Sequence, residues 1–367
     1  MQNYNFALIK PVSSMCSLRC RYCFYRDESH NRTVSSYGRM SVDILKKAVM
    51  YTVSEAQRGS SFLFQGGEPL LRGVSFFEIY NELCSDIRSL RPDFCISSSV
   101  QTSAAGLNLP MVRVLKEGRF LVGVSLDGPE QLHDINRVRK DGRGSFKEVF
   151  ASLELLKREK VPVNILCVIT RDNARPQELW RFFMDNGLDY LQFIMALNPL
   201  GFDRNLISGT EYADFFLEIF DLWFAEFCAG HYVSVRMIDD IFSMLTGQNI
   251  TSCDLHGQCT LQNVIEADGS IYPCDFYVLD EWKLGNVCDY PVTIEESTAR
   301  SFTEKMKLPD KCRDCGSRFI CRNGCRRYRN LQGLNAYCET FRRIMETRKG
   351  QLEFVMGRIA KAKLAVR

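Results

Sequence analysis

Short apolar runs alternate with amphipathic stretches over residues 1–240. Phe6–Lys10, Ser61–Phe64, Phe94–Val100, Phe120–Ser125, Val163–Ile169 and Tyr190–Ile194 have the length and residue types of strands. Between them, apolar residues recur at helical spacing over Val42–Ala56, Ser75–Leu90, Pro110–Glu117, Phe146–Arg158 and Pro176–Asn186. Strands and helices alternating in this way predict βαβ units and a parallel sheet. The fold class expected is α/β: six such units make a partial (β/α)6 TIM-like barrel, with its chemistry at the C-terminal ends of the strands. A helix rich in aromatic residues begins over 210–224, where the aromatic stripe reads as core, and another spans about 233–246. Between Cys259 and Cys274 a β-hairpin is expected, turning at Asp268-Gly269. Residues 339–367 read as a basic terminal helix with a solvated face. The expected organisation is a barrel over 1–240, a cysteine-rich domain with a hairpin over 241–340, and a C-terminal helix over 341–367.

Composition narrows the chemistry. The chain has 367 residues, 46% apolar and 25% charged, as in soluble globular proteins. A net charge of +3 is too small to point to nucleic acid. No apolar run reaches the roughly 18 residues of a membrane span, and no N-terminal signal is visible, so a cytoplasmic location is expected. Sixteen cysteines in that compartment point to metal or redox chemistry, not disulfides. Cys16, Cys20 and Cys23 form a C-x3-C-x2-C triplet after the first predicted strand. Three thiolates there can hold three irons of a [4Fe–4S] cluster and leave the fourth open to a small molecule. A zinc site would want a fourth ligand close by, and His30 is the only nearby candidate. Cys253, Cys259, Cys274, Cys312, Cys315, Cys321, Cys325 and Cys338 make two further sets of four, suited to two iron–sulfur clusters or two zincs. The N-terminal triplet favours iron. Cys84, Cys95, Cys167, Cys228 and Cys288 are expected to be buried fill.

An aromatic residue directly after the third cysteine, Phe24, and the stretch Phe64-Gln65-Gly66-Gly67-Glu68-Pro69 one βα unit later carry a family resemblance. So do Cys259-x9-Gly269-x4-Cys274, the run from Cys312 to Cys338, Tyr-Pro-Cys274-Asp275-Phe-Tyr and Asn-Gly-Cys325-Arg-Arg. The chain resembles radical S-adenosylmethionine (SAM) enzymes with a SPASM domain, and among them the anaerobic sulfatase-maturating enzymes. The resemblance implies SAM and three [4Fe–4S] clusters: one on Cys16, Cys20 and Cys23, one on Cys253, Cys259, Cys274 and Cys325, and one on Cys312, Cys315, Cys321 and Cys338. It implies SAM contacts from Tyr25, Gln65, Ser125 and Leu197, with the Gly66-Gly67-Glu68 loop at the SAM amine. Arg137 is the arginine expected beside them, and Asp127 and His133 belong to the same polar cluster.

The same resemblance implies a function. A 5′-deoxyadenosyl radical would take a Cβ hydrogen from a cysteine or serine of a sulfatase-type peptide, and Asp275 would act as general base. The product would be Cα-formylglycine. Implied partners are the peptide and an electron donor such as flavodoxin or ferredoxin, with neither nucleic acid nor membrane. The sequence departs from the maturases in two loops. Ser103-Ala-Ala follows Gln101-Thr102 in place of Asn-Gly, and Asn198 replaces an aspartate before the proline of the 195–201 loop. Both loops are expected to face the substrate. They keep open a second reading, a SPASM maturase of a ribosomal precursor peptide that makes a thioether, a cross-link or an epimerised residue.

Overall fold

The structure, a computed structural model, describes residues 2–200, 204, 206–330 and 332–365. Gly201 of the 195–201 loop and the last two residues of the expected terminal helix lie outside the described residues. The strands are β1 (Gln2–Ile9), β2 (Ala56–Phe64), β3 (Cys95–Thr102), β4 (Leu121–Ser125), β5 (Val163–Ile169), β6 (Tyr190–Met195), β7 (Ser234–Val235), β8 (Val264–Ile265), β9 (Ser270–Tyr272) and β10 (Gly285–Asn286). The helices are α1 (Phe24–His30), α2 (Val42–Ser54), α3 (Val74–Leu90), α4 (Leu109–Glu117), α5 (Glu130–Asn136), α6 (Phe146–Arg158), α7 (Pro176–Asp185), α8 (Gly209–Ala229), α9 (Arg236–Leu245), α10 (Glu296–Thr303), α11 (Arg318–Cys321), α12 (Cys338–Thr347) and α13 (Lys349–Ala365).

Local sequence accounts for many of these boundaries. Ser41 and Asn108 cap α2 and α4 by accepting the Ile44 and Met111 N–H groups. A capping box of Ser208 and Glu211 starts α8, and Gly230 ends it in the left-handed region. β1 and β2 each begin earlier than their apolar runs suggest. Parallel pairing of Gln2 with Ala56 and of Tyr4 with Gly59 carries polar residues into the sheet. The same pairing ends α2 at Ser54, two residues short of Ala56.

The strands form one sheet in the order β10-β9-β8-β1-β2-β3-β4-β5-β6-β7, and β1 through β7 pair in parallel. β8 adds in parallel to the outer edge of β1, pairing Leu8 with Val264 and Ile9 with Ile265. The hairpin β8–β9 turns where expected, with Gly269 at φ +87° and its N–H on the Glu266 carbonyl. The cysteine-rich region thus continues the barrel sheet, and β1 is flanked on both sides. Residues at the C-terminal end of β1 therefore lie at the centre of the molecule.

The terminal helix is two helices broken at Arg348. α12 docks on α8 through Arg343–Asp214 and Arg348–Asp221 pairs, and Phe341, Ile344, Leu352 and Val355 are buried. Its inner face is core, in place of the solvated face expected. The aromatic stripe of α8 is core as expected, with Tyr212, Phe216 and Phe220 fully buried.

Under β2 and β3, Phe64 meets Phe77, Tyr80 and Phe120 edge-on or tilted at 4.8–6.0 Å between ring centroids. A side chain so enclosed leaves a cavity when truncated. Phe64→Ala is expected to destabilise the protein by about 3–5 kcal/mol, checked by urea unfolding of the anaerobic iron-loaded protein.

Candidate active site

The chain leaves β1 at Lys10 and forms the cysteine loop before entering α1. Its backbone is pinned against the end of α5 and the segment that follows. The Arg19 and Arg21 N–H groups bond to the Val138 and Asn136 carbonyls at 2.7 and 2.9 Å. Cys23 is the N-cap of α1. Burial pushes its thiol up, while the Arg26 and Tyr25 N–H groups at the helix start oppose that shift. Burial also pushes Cys16 up to about 12 and Cys20 up to about 11, with the Arg137 guanidinium opposing the latter. Thiols so buried ionise when a metal takes the place of their protons.

All three face one cavity of about 390 Å³, whose wall includes Met15, Tyr25 and Gly67. Among the described residues no three Cys, His, Asp or Glu side chains converge as a single bare metal ion requires; the three thiols surround a common space. Gly67 stands at φ +58°, and a Cβ there would overlap the Met15 carbonyl. Only glycine keeps this wall open. The donors, the volume and the glycine wall fit a cluster with a small molecule on its open iron.

The Glu68 side chain does not fit the role expected of it. Its carboxylate accepts Leu70 N–H and Thr102 Oγ1 on one oxygen, at 3.3 and 2.7 Å, and Ser103 N–H and Oγ on the other, at 2.9 and 2.6 Å. Four donors fill the acceptor sites of a carboxylate, leaving none for an ammonium group. Ser103 is correspondingly buried against Glu68, and does not face the substrate as expected. The backbone at Gly67 is what this loop presents to the cavity.

Asp127 and His133 are internal as well. Asp127 is fully buried and bound by Arg137 Nε at 2.9 Å, by Arg137 Nη2 and the Val168 N–H at 3.1 and 2.9 Å, and by the Tyr22 hydroxyl. His133 Nδ1 accepts the Asp127 N–H at 3.2 Å, and Nε2 meets Ser145 Oγ at 3.0 Å. Arg137 is thus held rigidly beside Cys20. Ser125 Oγ accepts Gln101 Nε2 at 2.9 Å. Leu197 lines a separate pocket of about 170 Å³ with Cys23 and Phe24.

Asp275 meets the cysteine loop from the other side. One carboxylate oxygen accepts the Tyr25 hydroxyl at 2.5 Å and Gln65 Nε2 at 3.0 Å, and Gln65 also donates to Tyr25 at 2.6 Å. The other, Oδ1, lies 3.9 Å from Lys10 Nζ and is buried without a hydrogen-bond partner among the described residues. Burial raises the Asp275 pKa, and the Lys10 charge opposes the shift.

Sequence reasoning missed what stands behind it. Lys10 Nζ lies 2.8 Å from Glu28, 3.7 Å from Glu266 and over the Tyr25 ring at 4.8 Å, and Arg32 binds Glu266 at 2.8 Å. Lys10, Glu28, Arg32 and Glu266 are almost fully buried. Burial works against the Lys10 charge, but the three carboxylates outweigh it and hold the ammonium above its ordinary range. Burial pushes Glu28 up to about 7 despite Lys10. The only sequence signal was a lysine closing an otherwise apolar strand.

The C-terminal cysteines fall into two spatial groups. Cys253, Cys259, Cys274 and Cys325 lie near one another, as do Cys312, Cys315 and Cys338, with Cys321 hydrogen-bonded to Cys338. Of the five remaining cysteines, Cys84 and Cys167 are buried as expected. Cys95, Cys228 and Cys288 are exposed, contrary to the expectation of fill: the first two sit at outward positions of a strand and a helix whose other faces are apolar.

Residues 11–183 match the model of the radical SAM superfamily, and residues 253–316 match that of an iron-sulfur cluster-binding domain, SPASM. A cysteine-type anaerobic sulfatase-maturating enzyme of Clostridium novyi (strain NT) is 36% identical, over 96% of this chain and 97% of its own length. A serine-type enzyme of Bacteroides thetaiotaomicron is 28% identical, over 92% of this chain and 87% of its own. The structure of native anSMEcpe with bound AdoMet and the Cp18Cys peptide superposes with a TM-score of 0.89 at 35% identity, covering 98% of this chain and all of that one. With its cysteine cavity, its two four-cysteine groups and this end-to-end likeness, the chain belongs to the anaerobic sulfatase-maturating enzymes of the radical SAM superfamily.

Proposed function

We propose that this enzyme oxidises a cysteine side chain of a sulfatase-type peptide to Cα-formylglycine. The observation that carries the reading is Asp275: a buried carboxylate beside Cys274, oriented through one oxygen by Tyr25 and Gln65, with the other oxygen unused. Greater likeness to a cysteine-type than to a serine-type relative supports cysteine as the residue oxidised. Cys16, Cys20 and Cys23 would hold the SAM-binding cluster. Cys253, Cys259, Cys274 and Cys325 would hold one auxiliary cluster, and Cys312, Cys315, Cys321 and Cys338 the other. When bound, these groups and SAM would supply a 5′-deoxyadenosyl radical that removes a Cβ hydrogen, and an acceptor for the remaining electron; loss of the thiol proton leaves a thioaldehyde, which water hydrolyses to formylglycine with release of hydrogen sulfide.

The protein's own part is positioning and proton transfer. Gly67 and Tyr25 shape the cavity wall, with Gln65 and Gly66 behind them, and Arg137, fixed by Asp127, supplies positive charge beside Cys20. Ser125 and Leu197 flank the same end of the barrel. Asp275 takes the substrate thiol proton on Oδ1, while Tyr25 and Gln65 keep Oδ2 occupied and the carboxylate in one orientation. General-base catalysis requires reach to the thiol before it requires a tuned pKa, so peptide binding must bring the sulfur to Oδ1, which is buried beside Lys10. An electron donor of the flavodoxin or ferredoxin kind would prime the enzyme. The division at 1–240, 241–340 and 341–367 is part of this proposal, with sheet pairing across the first boundary.

Anaerobic turnover with SAM, reductant and a peptide containing Cys-x-Pro-x-Arg tests the reading by mass spectrometry. Formylglycine is expected together with 5′-deoxyadenosine, and a serine version of the peptide is expected to react more slowly. 5′-Deoxyadenosine with an unchanged peptide would reject the substrate assignment. Asp275→Asn keeps the shape of the carboxylate without its basicity; product formation should fall about a hundredfold or more, while peptide binding by fluorescence anisotropy stays unchanged. Full turnover by that variant would remove Asp275 from the chemistry. Cys321→Ala, by removing one ligand of the second auxiliary set, should lower iron below the about twelve atoms per chain that three clusters require, as measured by iron and sulfide analysis.

A further inference from the structure

Around the second four-cysteine group the surface changes character. Lys305, Lys307, Lys311, Arg313, Arg318 and Arg322 are all exposed, against Glu304, Asp310 and Asp314. Residues 304–322 thus carry an excess of three positive charges, as large as the net +3 of the whole chain. The terminal segment 339–367 is basic as well, with eight positive against three negative residues, and the rest of the chain offsets it. The charge also lies close to the thiols: Lys311 and Arg342 act on Cys338, and Arg318 and Arg329 act on Cys312. Asp310 is paired with Arg313 at 2.8 Å, which leaves the other cations of the segment to set its potential.

Two large apolar side chains stand in the same segment. Met306 is 47% exposed and Phe319 is 48% exposed. Arg329 Nη1 lies 3.1 Å from the Met306 sulfur, and Arg322 Nε donates to the Phe319 carbonyl at 3.1 Å. Arginine, methionine and aromatic residues together are the composition enriched in protein interfaces. Exposed apolar side chains among mostly cationic ones suit a brief encounter with a partner of opposite charge, where steering sets the on-rate. Electron-transfer partners use small interfaces of this kind.

We propose that the face built by residues 304–322 is the docking surface for an acidic protein that carries one electron at a time. This rests on the maturase reading, which calls for such a donor. The carrier is oxidised by one electron, and the four-cysteine group at this face, loaded with its cluster, would take that electron and pass it on to the SAM-binding group, with no bond made or broken. Cations close to the thiols bring the carrier's acidic rim to the cysteine group nearest this surface.

The test is direct binding, measured anaerobically by biolayer interferometry with iron-loaded enzyme and an acidic bacterial flavodoxin. Affinity should fall about tenfold as salt rises from low to moderate ionic strength, by screening of the charges. The triple variant Lys305→Glu, Lys307→Glu, Arg318→Glu should lose at least about tenfold at low salt, chiefly in the on-rate. A control triple on the barrel, Lys46→Glu, Arg58→Glu, Lys147→Glu, should bind like the wild type. Equal loss in both triples, or no loss in the first, would overturn the docking surface. Iron content and circular dichroism of each variant report folding separately. Failure of the maturase reading looks different: with a chemical reductant no variant, nor the wild type, would form formylglycine. Failure of the docking proposal alone leaves that chemical turnover intact.

Discussion

The structure depends on a charge buried where two parts of the chain meet. Lys10 directly follows β1, the strand shared by the barrel and the hairpin, and its ammonium stands among Glu28, Glu266 and Asp275. Arg32 completes the group on Glu266. Taking five ionisable groups out of water costs several kcal/mol per ion, so such a cluster is weak evidence for stability. Its value is geometric. Glu28 accepts the Val278 N–H at 2.8 Å and Ser13 donates to Glu266 at 3.1 Å, so each carboxylate ties the barrel to the cysteine-rich region. Asp275 is positioned by the same lysine that anchors the other two.

With three carboxylates against two cations, the group has one acid more than its cations neutralise. Burial accordingly pushes Glu28 and Asp275 up. The barrel contributes Lys10, Tyr25, Gln65, Glu28 and Arg32, and the hairpin contributes Glu266 and Asp275. Neither part makes the site alone. Cys274, beside Asp275, ties this arrangement to one four-cysteine group, while the other group stands under a cationic surface.

Much of this was legible in the sequence. Strands β1–β6 and helices α2–α4 and α6–α9 follow from periodicity, and the eleven clustered cysteines follow from spacing, because both are local signals; the short α5 was not foreseen. The side-chain partners were not. Glu68 stands in a motif that suggests an open carboxylate, yet Ser103 and Thr102, about 35 positions on, fill it. The Ser103 departure from the family pattern thus marks an internal hydrogen bond. Lys10 and Glu266 are 256 positions apart, and only the parallel pairing of β8 with β1 brings them together. Cys95 and Cys228 misled because an apolar neighbourhood does not say which way one side chain points.

In the proposed reaction Asp275 faces the reacting thiol from behind Tyr25. An anaerobic crystal structure of the iron-loaded enzyme with SAM and the cysteine peptide tests it most directly. The peptide sulfur is expected within hydrogen-bond distance of Asp275, with its Cβ turned to the cavity bounded by Cys16, Cys20 and Cys23. A peptide cysteine bound elsewhere, with Asp275 still enclosed by Tyr25, Gln65 and Lys10 alone, would contradict it.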